Sequence, residues 1–329
     1  MISVPVRDQS QVAEVRREAV QIAERQGFGS GDAGRVALVA TELATNVLKH
    51  ASEGEVLTGT FDDMDGIGVE LIALDKGSGM SNVAACLQDG YSSAGTAGKG
   101  LGAVVRQSSI VDIASWAGVG TAVLARIMPG KTGANPSPPR ADWGAVAVPM
   151  SGQSVCGDSW SVANTAAGRT LMVVDGLGHG PDAAEAAVEA VRIFNRFNGH
   201  QVTTLLDYIH GGLRSTRGAA ISIARYDAAA RKIVYAGIGN IAGILAANGM
   251  VRRMVSMAGT AGFNARKIQS FDYPFDSGLV ILHSDGLQSQ WTLDRYPNLA
   301  SFHPTLIAAI LYRDFNRGRD DATVLVCKW

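Results

Sequence analysis

An apolar run that ends in a carboxylate and turns at once on three alternate glycines leaves a chain little choice of local structure. Residues 169–183 read RTLMVVDGLGHGPDA. The run Leu171 to Val174 has the length and β-branched content of a buried strand. Gly176, Gly178 and Gly180 let the backbone reverse sharply and approach a ligand closely. Pro181 opens an alanine-rich segment that reads as a helix, because proline suits a first helical turn. Asp175 therefore stands at a strand end beside exposed carbonyls, a setting that suits a hard metal ion. An ordinary strand–turn–helix joint would read the same from these residues alone, so the rest of the chain decides between the two.

The chain has 329 residues, 47% of them hydrophobic and 18% charged, enough for two globular cores. A net charge of −1 lacks the basic surplus of a nucleic-acid or anionic-membrane binder, so neither partner is expected. Cys86, Cys156 and Cys327 are far apart and form no metal-finger or redox spacing, which fits reduced thiols. The start, MISVPVRDQSQ, has no signal-peptide core, and no run approaches the roughly 18 apolar residues of a membrane helix. The expected location is the cytoplasm. The clearest boundary is TGANPSPPR at 132–140, whose three prolines favour an extended spacer. The expected division is a domain at 1–131, a linker at 132–142 and a second domain at 143–329.

In the first part, a strand (Ile2 to Val6) leads to Asp8 or Ser10 as cap of a helix with Val12, Val15, Ala19 and Ile22 on one face. Asp32 reads as the N-cap of a second helix, striped by Val36, Ala40, Leu43 and Val47. Glu42 and Asn46, four apart, share one face of it. A solvated face is the ordinary reading of such a pair, but Asn is a poor helix-interior residue, and its amide oxygen could hold a magnesium ion carrying phosphates. Two strands follow, the second ending in DKGSGM (Asp75 to Met80), where a buried carboxylate can accept from an amino group or simply make a turn. GKGLG (Gly98 to Gly102) then precedes a helical pattern, and glycines before a helix present N–H groups to an anion. Two more strands complete this part.

ELATN, DKGSGM and GKGLG, in that order, resemble the N, G1 and G2 boxes of the GHKL ATPases, and QDGYSSAGT (Gln88 to Thr96) resembles an ATP lid. Within that superfamily the region looks like the RsbT-like serine kinases of anti-sigma partner switching. The resemblance implies an α/β sandwich that binds ATP with Mg²⁺. Asn46 would be the magnesium ligand and Asp75 the adenine reader, with Gly77 and Gly79 shaping the base pocket. Gly98, Gly100, Leu101 and Gly102 would line the phosphates, and Glu42 would accept the substrate serine's proton. Lys99 fits either a charge at the phosphates or a solvated lysine.

Beyond the spacer, short strands alternate with a few helices, which suggests a second α/β sandwich. The helix from Pro181 to Phe197 is expected to bury Val188, Val191 and Phe194, and Asn248-Gly249 suits a hairpin turn. Asp158, Asp175, Asp285 and Asp320 (or Asp321) each fall at a strand end or turn, where any one Asp is more often structural. Together, VCGD, VVDGLGHG, HSDGL and RDDATVLV resemble the SpoIIE-like branch of the PPM-type serine/threonine phosphatases, with the short RsbX-like enzymes nearest. The resemblance implies an αββα sandwich and two Mn²⁺ or Mg²⁺ ions that activate a water against phosphorus without a covalent intermediate. Asp175 would bridge the ions, and the Gly176 carbonyl and Asp158 would hold one. Asp285 and Asp320 would hold the other. His179 would either protonate the leaving oxygen or support the turn. Asp182 and His283 stand near these positions without an assigned role.

The whole reads as a bacterial kinase–phosphatase fusion acting on a STAS-domain anti-sigma antagonist. The alternatives are a first domain that only binds nucleotide or a partner such as a sigma subunit, and a pair of degenerate scaffolds, against which the intact Asn46, Asp75, Asp175 and Asp285 argue.

Overall fold

Strand β1 (Ile2–Pro5) gives way to helix α1 (Gln9–Arg25) at Asp8, the residue that makes the cap. Asp8 Oδ1 accepts from the Ser10 and Gln11 amides at 2.8 and 3.3 Å, and Gln11 Oε1 accepts in return from the Asp8 amide at 3.1 Å, a capping box. The computed structural model describes residues 1–83, 100–131, 140–166, 168–247, 249–265 and 267–329. Gly98, Lys99, the lid-like stretch 88–96 and Asn248 lie outside the described residues. Helix α2 (Ser30–His50) starts two residues before the expected cap, with Gly29 at the cap position. Asp32 instead lies in the first turn, pairing with Arg35 at 2.6 Å and accepting from the Gly130 amide at 3.0 Å. A carboxylate there also complements the helix dipole.

The backbone gathers into two units, Met1–Asp142 with Ser301–Arg313, and Trp143–Ala300 with Asp314–Trp329. The first holds β1, β2 (Gly54–Asp63), β3 (Gly66–Asp75), α3 (Gly100–Gln107), β4 (Ile110–Trp116) and β5 (Gly120–Ile127). Its five-stranded antiparallel sheet runs β1-β2-β3-β5-β4. Val56, Val69, Leu71, Ala73, Val123 and Ala125 turn to the face shared with α1 and α2, whose Val15, Ala19, Val39 and Leu43 complete one core. By strand alternation Glu70, Ile72, Leu74, Leu124 and Arg126 take the other face, and they too are buried. Arg126 is held there by Asp63, Asp65 and Glu70 at 2.9–3.1 Å. It also donates to Thr305 Oγ1 at 3.1 Å, so residues 301–313 are part of this unit's packing.

The second unit holds two five-stranded antiparallel sheets. One runs β13 (Phe271–Pro274), β10 (Lys232–Ile238), β9 (Ala219–Asp227), β8 (Gly168–Gly176), β7 (Asp158–Thr165). The other runs β12 (Met250–Met254), β11 (Ala242–Ala247), β14 (Leu279–His283), β15 (Ala322–Lys328), β6 (Trp143–Val148). Leu171, Val173, Ile233 and Tyr235 from the first meet Leu245, Val280, Leu282 and Leu325 from the second in a common core, the arrangement of a sandwich. On the outer face of the first sheet, Met172, Val174 and Ile221 pack on helices α4 (Pro181–Phe197) and α5 (Val202–Gly212). In chain order helix α6 (Pro304–Phe315) comes between β14 and β15, and its residues as far as Arg313 belong to the first unit.

Helix α4 does not bury Val188, which is 65% exposed. Its core face is Ala183, Ala186, Ala187, Ala190, Ile193 and Phe194, still at the i, i+3, i+4, i+7 spacing. Alanines let the helix lie close on β7 and β8, and a register led by small residues displaces the valine to solvent.

Candidate active sites

In the first unit the polar face of α2 meets the start of α3. A Cβ placed on Gly100 would lie 3.1 Å from Glu42 Oε2 and 3.3 Å from Asn46 Oδ1, so the glycine leaves these two groups uncovered. Asn46 Nδ2 is buried without a hydrogen-bond partner. A buried N–H donor costs free energy until it meets an acceptor, such as a phosphate oxygen, while the Asn46 Oδ1 and the Glu42 carboxylate are oxygen donors of the kind a hydrated Mg²⁺ takes. Gly102 is buried, and Leu101 turns its side chain toward the helical core, leaving only its backbone for a ligand.

Asp75 is the last residue of β3. Its Oδ1 accepts from the Gly77 amide at 2.8 Å and the Thr121 amide at 3.2 Å. Burial raises the carboxyl above its ordinary range despite those bonds. Gly79, at φ +71°, passes so close to the Trp116 carbonyl that no side chain fits, and a Cβ on Gly77 would meet the His50 carbonyl at 2.5 Å. Gly77 and Gly79 thus shape the loop by close backbone approach. Arg313 donates to the carbonyl oxygens of Asp75 (3.0 Å) and Thr121 (3.3 Å), a support that no pattern in residues 1–131 announces.

In the second unit, Asp158 and Asp175 stand opposite each other on β7 and β8. Burial pushes the Asp175 carboxyl up to about 9, with Asp158, Asp285 and Asp320 adding to the rise. Asp158 goes to about 7, again through burial first and then the charge of Asp321. Asp285, just beyond β14, is also raised, by burial and by Asp320. Carboxyls raised by burial and by neighbouring carboxylates lie close enough for a cation among them to relieve the repulsion. Among the described residues no three His, Cys, Asp or Glu side chains already surround one point as a closed metal cage. The cluster is looser than that, yet Asp158 Oδ2 is buried without a partner, and an all-oxygen donor set suits Mg²⁺ or Mn²⁺.

The turn after Asp175 is held tightly. A Cβ on Gly176 would lie 2.1 Å from the Ala183 carbonyl, so only glycine fits there. The Gly176 amide donates to the Gly157 carbonyl at 3.1 Å. His179 is exposed on the turn, and Asp182 pairs with Arg217 at 2.5 Å on the surface. His283 is a core residue, its Nδ1 2.7 Å from the Ser284 carbonyl, and burial drops it to about 4, so it stays neutral.

Asp320 and Asp321 differ in what they hold. Asp321 is buried, and its two oxygens accept from the Met150 amide (2.6 Å) and the Gly157 amide (2.7 Å). It ties down the turn that carries Asp158. Asp320 accepts from the Asp321 amide, at 2.9 Å, and is the one of the two that adds to the rise of Asp175. Cys156, in the same turn, is pushed up to about 12 by burial and the nearby Asp158, so it remains a thiol. Asn240, which donates from Nδ2 to Asp285 Oδ2, was not marked by any sequence motif. Its only signal is a polar residue after a glycine at the β10–β11 connection.

Residues 5–127 match the model of the histidine kinase-like ATPase domain, and residues 166–329 match that of stage II sporulation protein E. The first part is 31% identical over 114 residues to the serine/threonine-protein kinase RsbT of Bacillus subtilis (strain 168), covering 35% of this chain and 86% of RsbT. The chain belongs to the RsbT family. Its second domain is a PPM-type serine/threonine phosphatase domain of the SpoIIE kind. The phosphoserine phosphatase RsbX of the same organism is 25% identical over 138 residues, 41% of this chain and 69% of RsbX. A chain solved in work on the bacterial stressosome, a modular system adapted to control secondary messenger signalling, superposes with a TM-score of 0.52 at 26% identity. That match covers 56% of this chain and 97% of the other. The kinase-like and phosphatase domains together make a partner-switching fusion. No helix among the described residues is long and apolar enough to cross a membrane.

Proposed function

We propose that this protein sets the phosphorylation state of one serine on a STAS-type anti-sigma antagonist, adding phosphate with its first domain and removing it with its second. The observation that carries this reading is the presence, in one chain, of two different polar clusters, each suited to phosphate with a divalent cation. One is the Asn46 amide, its Nδ2 unpartnered, beside Glu42 and Gly100, and the other is the trio Asp158, Asp175 and Asp285, each raised by burial first, with the charge of Asp320 adding to each rise.

In the kinase-like domain, Asn46 would hold Mg²⁺ with ATP, Asp75 would accept from the base, and the amides of Gly100 to Gly102 would face phosphate. Glu42 would take the proton of the attacking serine hydroxyl, the positioning that phosphoryl transfer mainly requires. In the phosphatase domain, Asp158, Asp175, Asp285, Asp320 and the Gly176 carbonyl would hold two Mg²⁺ or Mn²⁺ ions. Such ions neutralise phosphate and lower the pKa of water. His179 would be the donor to the leaving oxygen, which its exposed place on the turn after Asp175 supports. Asp321 and Asn240 would orient the turn of Asp158 and the side chain of Asp285. The division at 1–131 and 143–329 is the working arrangement, with residues 301–313 completing the first part.

A second reading, a phosphatase governed by a domain that binds nucleotide without transferring phosphate, has one observation in its favour. Arg313, which braces the Asp75 carbonyl, comes from the stretch between the phosphatase residues Asp285 and Asp320. Intact-protein mass spectrometry of a STAS antagonist with ATP and Mg²⁺ separates the two. Phosphate should accumulate with Asp175→Asn and not with Asn46→Ala. If no variant adds phosphate while wild type removes it from a phosphorylated antagonist, the second reading holds.

A further inference from the structure

Two large apolar side chains stand in solvent beside the phosphatase cluster. Phe263 is 64% exposed and Leu177 54%. Single exposed apolar residues are ordinary, but these two hang on one glycine next to Asp175. The Leu177 amide donates to the Gly218 carbonyl at 2.9 Å, and a Cβ on Gly218 would lie 2.9 Å from Phe263 Cδ2. Ala219 pairs with Gly176 on β8 and, on its other side, exchanges bonds of 3.0 and 2.9 Å with Ala261.

The turn that carries Phe263 is braced. Thr260 and Asn264 pair with each other, Phe263 donates to the Thr260 carbonyl at 3.1 Å, and the Gly262 amide donates to His210 Nδ1 at 3.0 Å. The ring is thus presented to solvent by a fixed backbone. An aromatic ring held this way loses little entropy on contact with a partner, the property of a recognition anchor. The neighbouring Arg217 and Asp182 pair with each other at 2.5 Å.

We infer that Phe263 and Leu177 form an apolar shelf that receives a hydrophobic side chain flanking the phosphoserine of the substrate protein. The shelf makes this domain select its substrate by the residues beside the phosphate as well as by the phosphate. The inference rests on the cluster around Asp175 being the hydrolytic site, which a substrate too small to reach the shelf tests separately.

The experiment measures kcat and KM, with Mn²⁺, for p-nitrophenyl phosphate and for two phosphoserine peptides that differ only in leucine or serine flanks. Wild type should favour the leucine peptide by about tenfold in kcat/KM, mostly through KM. Phe263→Ser and Leu177→Ser should each remove most of that preference and leave p-nitrophenyl phosphate hydrolysis within about twofold, the sign of a lost binding contact with an intact fold. Equal hydrolysis of both peptides by wild type, or an equal fall on both peptides in the variants, overturns the shelf. If wild type fails to hydrolyse p-nitrophenyl phosphate, the hydrolytic site itself is wrong, and the shelf falls with it.

Discussion

Replacing Asp175 by Asn should stabilise the metal-free protein while removing its response to metal. Burial and three carboxylates lift Asp175 to about 9 in the folded state, and Asp158 to about 7. A carboxyl raised in the fold keeps its proton longer folded than unfolded. Its contribution to stability is full below the ordinary carboxylate pKa and is lost as pH rises toward the folded value. For Asp175 the window runs from about pH 4 to about pH 9, and for Asp158 from about pH 4 to about pH 7. Each group costs at most about 1.4 kcal/mol per pH unit within its window. Because pH 7 lies about three units above the ordinary carboxylate value, the upper bound there is about 4 kcal/mol, and relaxation and water entry lower it to about 1–4 kcal/mol. Asn keeps the shape and cannot ionise. Urea unfolding with chelator at about pH 5, 7 and 8.5 should show the variant gaining on wild type as pH rises, by at most about 5 kcal/mol between the first and last pH. Millimolar Mn²⁺ should stabilise wild type and leave the variant almost unmoved, since only binding to the folded state shifts the balance. A metal-free variant less stable than wild type at the highest pH would refute the reasoning.

Asn46→Ala and Asp75→Asn should each weaken ATP binding at least about tenfold by calorimetry, the loss of one buried polar contact, with p-nitrophenyl phosphate hydrolysis unchanged. Asn240→Ala should weaken Mn²⁺ binding about 10–100-fold by titration calorimetry, because it frees Asp285 to turn, and an unchanged affinity would limit Asn240 to the surface. A fragment of residues 1–142 loses the Thr305 bond to Arg126 and the Arg313 bonds to the Asp75 and Thr121 carbonyls. It should be less stable than the same unit in the whole chain by about 3 kcal/mol or more in denaturant unfolding, whereas adding residues 301–313 by a linker should restore it.

Much of this protein could be read from local pattern. The buried strand 168–176, the glycine turn at Gly176 and the proline-started helix each depend on a few adjacent residues, and the backbone follows them closely. The positions of Asp75, Asp158 and Asp175 at strand ends, and of Glu42 and Asn46 on one helix, are local in the same way. Where neighbours compete, local pattern misleads. Val188 looks like a core residue until the alanines of α4 settle close on the sheet, and Asp32 looks like a cap until Arg35 and Gly130 claim it.

Other features have no local signature at all. Asp320 and Asp321 are alike in sequence, and only the Met150 and Gly157 amides single out Asp321 as a brace. Asn240 is brought to Asp285 and Phe263 to Gly218 by tertiary pairing, and residues 301–313 complete a unit that begins at Met1. Sequence by itself determined which segments turn, extend or coil and which groups can carry charge, since those depend on the bonding of nearby backbone. Tertiary structure decided which groups meet, because strand pairing and close packing join residues that are hundreds of positions apart.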